Sequence, residues 1–289
     1  MVIKGNNGVA LASQNLQREF TMTDADFKKV SDLAYEFTGI VLGPHKRDMV
    51  YGRLARRLRD VGLTNVGDYI NLVKNDTNQE VSKFINAITT NLTSFYREEH
   101  HFDFLSNTLI PELKKTNVGT KKIRAWSAGC STGEEPYSIA ITFKEYMDLQ
   151  GWDCKILATD LDSKVLNKGQ QGIYDNKRIE SIKSSYKKKW FLKDQNHPDI
   201  VKVKPELQEL IRFKRLNLLE KWPMKGPFDF IFCRNVVIYF NAETQAVLFD
   251  RYADMLKDGG YLIIGHSESL DRACNRFRSI GKTIYQKIS

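Results

Sequence analysis

A chain of 289 residues with 42% hydrophobic content is long enough to bury one large core or two modest ones, which favours a folded globular protein over a peptide-like or disordered one. The first twenty residues hold no signal-peptide run, and apolar stretches such as YLIIG are too short to span a bilayer, so a cytoplasmic protein without membrane insertion is expected. Cys130, Cys154, Cys233 and Cys274 are scattered without metal-ligand spacing, which argues against a disulfide framework or a metal centre, and the net charge of +9 favours an acidic partner.

Residues 1–20 have weak patterning and several Asn and Gly, and read as a mobile tail. Residues 21–115 carry only helical signals and predict a helical N-terminal domain with a linker helix. Thr23, with Asp26 three residues on, predicts a capping box for the first helix. PHKRDMVYGRLARRLRDVG predicts a second helix closed by Gly62, and NVGDYINLVKND and NQEVSKFINAITT predict two more. On the second helix Lys46, Arg53, Arg56, Arg57 and Arg59 fall on one broad side, with Val50, Leu54, Leu58 and Val61 on the other. A solvated face is the usual meaning of such a charge run, and a nucleic-acid groove would add stacking aromatics, which this stretch lacks apart from Tyr51.

From residue 116 to the end, strands and helices alternate. KIRAWS, CKILATDLD, IRFKRLNLL, FDFIFCRN and YLIIGHSE read as strands. EPYSIAITFKEYM, SKVLNKGQQG and AETQAVLFDRYADMLKDGG read as helices, which predicts a mostly parallel α/β sheet covered on both faces. FRSIGKTIYQKI suggests an antiparallel finish. Residues 175–213 break the alternation, with a basic helix before two short strands, WFLKD and DIVKVKPEL.

In an open sheet of this kind the ligand lies beyond the carboxyl ends of the strands. The first strand ends in SAGCSTGEEP, where Gly129 and Gly133 permit a tight turn. The second ends at Asp160, about thirty residues on, against roughly twenty in a compact dinucleotide fingerprint. The third ends at Asn217 and Leu218, and the fourth at Asn235 and Val236. Singly, each has a plain structural meaning: Asp160 reads equally as a helix N-cap and Asn217 as a turn cap. Four polar strand ends in succession favour a binding site. The first loop lacks a Lys and carries Glu134 and Glu135 at the start of its helix, where a phosphate would be repelled. A nucleoside with positive charge and no phosphate fits better, and S-adenosylmethionine has that chemistry; a nicotinamide dinucleotide does not.

NAITTNLTSFYREEHHF, AWSAGCSTGEEPYSIAI, FDFIFCRNVVIYF and GHSE together resemble the signature blocks of the CheR-type chemotaxis receptor glutamate methyltransferases, over nearly the whole chain from about residue 23. The resemblance implies a helical domain followed by a class I, Rossmann-like methyltransferase domain with a small inserted antiparallel β-subdomain. It implies S-adenosylmethionine as cofactor, held by Asn91, Thr93, Arg97, Glu134, Asp160, Asn217, Leu218, Asn235 and Val236, and S-adenosylhomocysteine as product. It puts Arg97 and Tyr239 beside the reacting atoms and implies methylation of receptor glutamates to γ-methyl esters. On that basis the partner is the acidic helical cytoplasmic region of a receptor, met by Arg53, Arg56, Arg57 and Arg59, and the β-subdomain can dock a receptor tail motif. No nucleic acid is expected, and a monomer is. Amino-group methyltransferases acting on DNA bases often carry prolines at the fourth strand end, which NVVIY lacks. A non-catalytic module that binds acidic helices would keep the basic helix without needing Arg97 or Tyr239.

Overall fold

The computed structural model describes residues 19–75, 79–270 and 274–288. Helix α1 (Asp24–Thr38) opens on the expected capping box, with Thr23 Oγ1 accepting from Asp26 N and Asp26 accepting from Thr23 N, and ends at Gly39 in the left-handed region. Helices α2 (Arg47–Val61), α3 (Val66–Asn75) and α4 (Gln79–Ile88) follow, and Gly62 at φ 71° closes α2. Their apolar faces meet in one core of residues such as Val30, Leu33, Val50, Leu54, Tyr69 and Phe84. Most of the expected tail, residues 1–18, lies outside the described residues. Phe20, assigned to that tail, is instead buried in this helical core.

Helices α5 (His100–Phe104) and α6 (Ile110–Thr116) are joined by a π-helical turn over Leu105–Leu109. Read in the sequence as a linker, this helix packs Phe102, Leu105, Leu109, Ile110 and Leu113 into the core of the sheet. Strand β1 (Lys122–Ala128), helix α7 (Glu134–Tyr146), strand β2 (Asp153–Asp160) and helix α8 (Ser163–Gln171) follow as expected. The insertion comes next, with β3 (Ile173–Asp175), α9 (Ser184–Trp190), β4 (Phe191–Lys193), β5 (Ile200–Val203) and α10 (Pro205–Gln208). Its antiparallel sheet has the order β3-β5-β4, one strand more than the sequence suggests, because β3 is only three residues long.

The chain then gives β6 (Ile211–Arg215), β7 (Phe228–Cys233), α11 (Ala242–Met255), β8 (Leu256–Ile264), β9 (Phe277–Gly281) and β10 (Ile284–Lys287). The main sheet has the order β6-β2-β1-β7-β8-β10-β9, parallel except where β10 pairs with β8 and β9. Alternate residues face opposite layers. Ile123, Ala125, Phe230, Phe232 and Ile263 pack on α7 and the 100–116 helix, whereas Trp126, Ile231, Cys233 and Leu262 pack on α11. Helix α11 stops five residues before the sequence pattern suggests. Leu256 pairs with Phe228, and a register shift in that pairing, with Gly259 at φ 74°, lets the strand start early.

Candidate functional site

A cavity of about 220 Å³ opens at the carboxyl ends of β1, β2, β6 and β7, with residues of α1, α2 and the 88–93 segment forming its other wall. Asn91, Thr93, Arg97, Asp160, Asn217, Leu218, Asn235, Val236 and Tyr239 all line it. Residues more than 140 positions apart are thus brought to one place by the parallel order of the strands.

The loop after β1 is built from positive-φ residues, Gly129 at 80°, Ser131 at 48° and Gly133 at 94°. A Cβ on Gly129 would come within 2.3 Å of Val236 Cγ2, so only glycine lets this loop approach the loop after β7. Gly129 N and Cys130 N both donate to Thr159 O at 2.8 Å, which locks the loop to the end of β2. There, Asp160 Oδ2 accepts from Ser131 N at 2.8 Å and Oδ1 from Asp162 N at 2.9 Å. Desolvation outweighs these hydrogen bonds and pushes the Asp160 carboxyl up to about 6.

Of the two glutamates at the head of α7, the one that reaches the cavity is not Glu134. Glu134 is fully buried and turned toward the insertion, accepting from Arg178 Nη1 at 2.7 Å and from Thr132 Oγ1 at 2.6 Å. Glu135 lines the cavity and accepts from Ser127 Oγ at 2.7 Å and Arg234 Nη1 at 3.1 Å. Successive helical residues point about 100° apart, so the pattern GEEP cannot say which carboxylate faces the ligand.

The segment over residues 89–99 joins the two walls. Asn91 Nδ2 donates to Asp162 Oδ2 at 2.8 Å, and Ser131 Oγ donates to Asn91 O at 3.0 Å. Arg97 Nη1 donates to Leu92 O at 2.9 Å. Asn217 spends its amide Nδ2 on Phe37 O at 3.0 Å, tying the β6 end to α1. Tyr239 accepts at its carbonyl from Val41 N at 2.8 Å, and Lys46 Nζ lies 4.8 Å from its ring centroid. Asn235 takes a left-handed conformation at φ 58°, and Asn235 N, Val236 N and Gly265 N all donate to Glu268 at 2.6 to 2.9 Å. Glu268 lies in GHSE and escaped the sequence reading as a site support, because the backbone groups of Asn235 and Val236 that it holds are distant in the chain.

The four arginines of α2 separate. Arg56 and Arg59 are exposed, and Arg59 pairs with Glu19 at 2.6 Å. Arg53 is half-buried and caps the end of α4, donating to Ile88 O at 3.0 Å and Thr89 O at 2.7 Å. Arg57 is buried, not free for a partner: its Nη2 donates to Glu80 at 2.7 and 2.9 Å, and Tyr69 Oη donates to the same carboxylate at 3.0 Å. Seven residues make nearly two full turns, so Arg57 stacks over buried Val50 on the packing side, and Glu80 neutralises it there.

Among the described residues one group has metal-ligand proximity, Glu98, His100 and His101, with donor atoms within 4.8 Å of one another. A cation is already present: Arg234 Nη2 lies 3.4 Å from Glu98 Oε2. Burial, with Arg234 beside it, holds His101 neutral by lowering its pKa to about 3.

The family model described as the CheR methyltransferase SAM binding domain matches residues 91–286, and that of the CheR methyltransferase all-alpha domain matches residues 25–89. The chemotaxis protein methyltransferase of Klebsiella aerogenes is 42% identical over 96% of this chain and 94% of its own. That of Escherichia coli (strain K12) is 41% identical over 93% of each chain. Chemotaxis protein methyltransferase 2 of Pseudomonas aeruginosa is 40% identical over 93% of this chain and 95% of its own.

Proposed function

The chain belongs to the CheR methyltransferases, and on that premise we propose that it moves a methyl group from S-adenosylmethionine to the side-chain carboxylates of specific glutamates in chemotaxis receptors, leaving γ-methyl esters. The observation that carries the reading is the make-up of the cavity, where Asp160, Arg97 and Tyr239 share one wall system with the ends of four strands.

The residues present suit the cofactor. Each Asp160 oxygen accepts one main-chain N–H, Oδ2 from Ser131 in the loop after β1 and Oδ1 from Asp162, which leaves lone pairs for the two hydroxyls of a ribose. Glu135, rather than Glu134, offers a carboxylate toward an ammonium end, and Leu216 and Leu218 offer apolar surface to a base. The chemistry a bound S-adenosylmethionine supplies is an electrophilic methyl group on sulfonium.

The residues of the chain have mainly to orient the acceptor. A glutamate with a reference pKa of about 4.3 is anionic at neutral pH and is its own nucleophile, so no general base is required. Arg97 can grip one carboxylate oxygen with its planar fork while Tyr239 donates its hydroxyl, leaving the other oxygen free to attack. Lys46, which lines the cavity, and the exposed Arg56 and Arg59 of α2 suit an acidic helical receptor surface. The outer strands β3 and β4 of the insertion have open edges to which a receptor tail could add by strand pairing. No helix among the described residues is long and apolar enough to cross a membrane.

The test is chemical. Methyl label transferred to receptor membranes should be released as methanol by mild alkali, as an ester is. Label that resists alkali, as a methylamine does, would overturn the reading.

A further inference from the structure

Arg234 stands just past β7, and its side chain is 2% exposed. Its Nη1 donates to Glu135 Oε2 at 3.1 Å, and its Nη2 lies 3.4 Å from Glu98 Oε2. The same Nη2 donates to the main-chain carbonyl of Arg97. The guanidinium also lies over the rings of Phe102 and Phe232, at 5.7 and 5.9 Å from their centroids. A buried guanidinium is costly unless its charge is matched, and here two carboxylates match it. Because the fork is planar, it fixes the relative positions of the head of α7 and the loop that carries Arg97, which a flexible ammonium could not do.

That loop needs holding. Tyr96 and Glu98, on either side of Arg97, both take φ 54°, in the left-handed region. Neither is Gly, Asn or Asp, so each holds its Cβ close to the following carbonyl oxygen and is strained there. Tyr96 N donates to Ser138 Oγ at 3.0 Å, and Glu98 accepts from His266 N at 3.1 Å, so the neighbours are pinned to other elements. The Arg97 guanidinium, by contrast, bonds to Leu92 of its own loop, and the bond that ties Arg97 to the strand ends comes from Arg234.

We infer that Arg234 is a positioning residue for methyl transfer, acting through the Arg97 main chain to set where the Arg97 side chain stands in the cavity wall. The inference rests on the reading of Arg97 as the group that orients the acceptor carboxylate.

The test is a double-mutant cycle on initial rates of labelled methyl transfer into membranes bearing a chemotaxis receptor of the same cell, with Arg97→Ala, Arg234→Met, the pair together, and Arg234→Lys. At saturating S-adenosylmethionine, Arg97→Ala alone should lower kcat by at least about tenfold, and Arg234→Met should do the same while the KM for receptor stays within about threefold. The double variant should be no more than about threefold slower than Arg97→Ala, because both changes remove one function. Arg234→Lys should recover only part of the rate. Losses that multiply in the double variant, or full recovery by Arg234→Lys, would overturn this inference alone. Normal turnover in Arg97→Ala would overturn the reading beneath it as well. Should Arg234→Met fail to fold, Glu98→Gln keeps the shape and loosens the same grip; its loss of kcat should also merge with that of Arg97→Ala, and a multiplying loss, or none, would count against the proposal.

Discussion

Asp160 illustrates how much a single residue depends on its surroundings. Burial raises its pKa to about 6, above the usual carboxylate range, although two main-chain N–H groups favour the charged form. The ionised carboxylate is the form that accepts from both hydroxyls of a ribose diol. In the free protein, therefore, the association constant for S-adenosylmethionine should be flat above pH 6 and fall toward about tenfold per pH unit below it. Asp160→Asn should flatten that profile, and Asp160→Ala should weaken binding at neutral pH by about 1 to 3 kcal/mol. Calorimetry from pH 5 to 8 checks both, and a wild-type affinity independent of pH would take Asp160 out of the ligand contact. Glu135 and Glu134 teach a related lesson. Adjacent identical residues divide into a cavity wall and a clasp on Arg178, and what separates them is the angle between neighbouring helical side chains.

Helix α2 shows the same division within one element. Its charge run reads as a single face, yet Arg57 lies on the packing side in an ion pair whose partners, Arg57 and Glu80, are 10% and 4% exposed at their side chains. Removing one member of such a pair leaves the other charge buried. Arg57→Ala should thus destabilise the helical domain by about 3 to 5 kcal/mol, while Arg56→Ala should change stability by less than about 0.5 kcal/mol. Thermal or denaturant unfolding of the two variants decides it, and equal midpoints would mean that the Arg57–Glu80 pair contributes nothing to the fold. The first turn of α1 behaves as its sequence says, because a capping box is closed within four residues and asks nothing of the rest of the chain.

For the whole molecule, the basic surface is the feature that decides how a receptor would be met. With Arg57 withdrawn and Arg53 spent on α4, the exposed arginines of α2 are Arg56 and Arg59, the second of them shared with Glu19. Replacing both with Glu should raise the KM for receptor and leave cofactor affinity unchanged. Attraction between exposed charges is screened over about 8 Å at physiological ionic strength, so wild-type activity at low receptor concentration should fall with salt, and the double variant should show a flatter response. Identical KM values and salt slopes would move recognition elsewhere, first to the insertion. The order of the amino acids specifies the helical domain, the parallel sheet and the polar strand ends, because periodicity, caps and turn residues act over short spans. It also placed Gly129, since only a residue free to take positive φ can make that turn. Packing settles the rest: that the 100–116 helix belongs to the sheet's core, that Glu135 rather than Glu134 faces the cavity, that Arg57 is buried, and that Arg234 and Glu268 fasten the site. Each of those depends on a partner about 20 to 140 residues away, and a side chain's environment is set by what the fold brings against it.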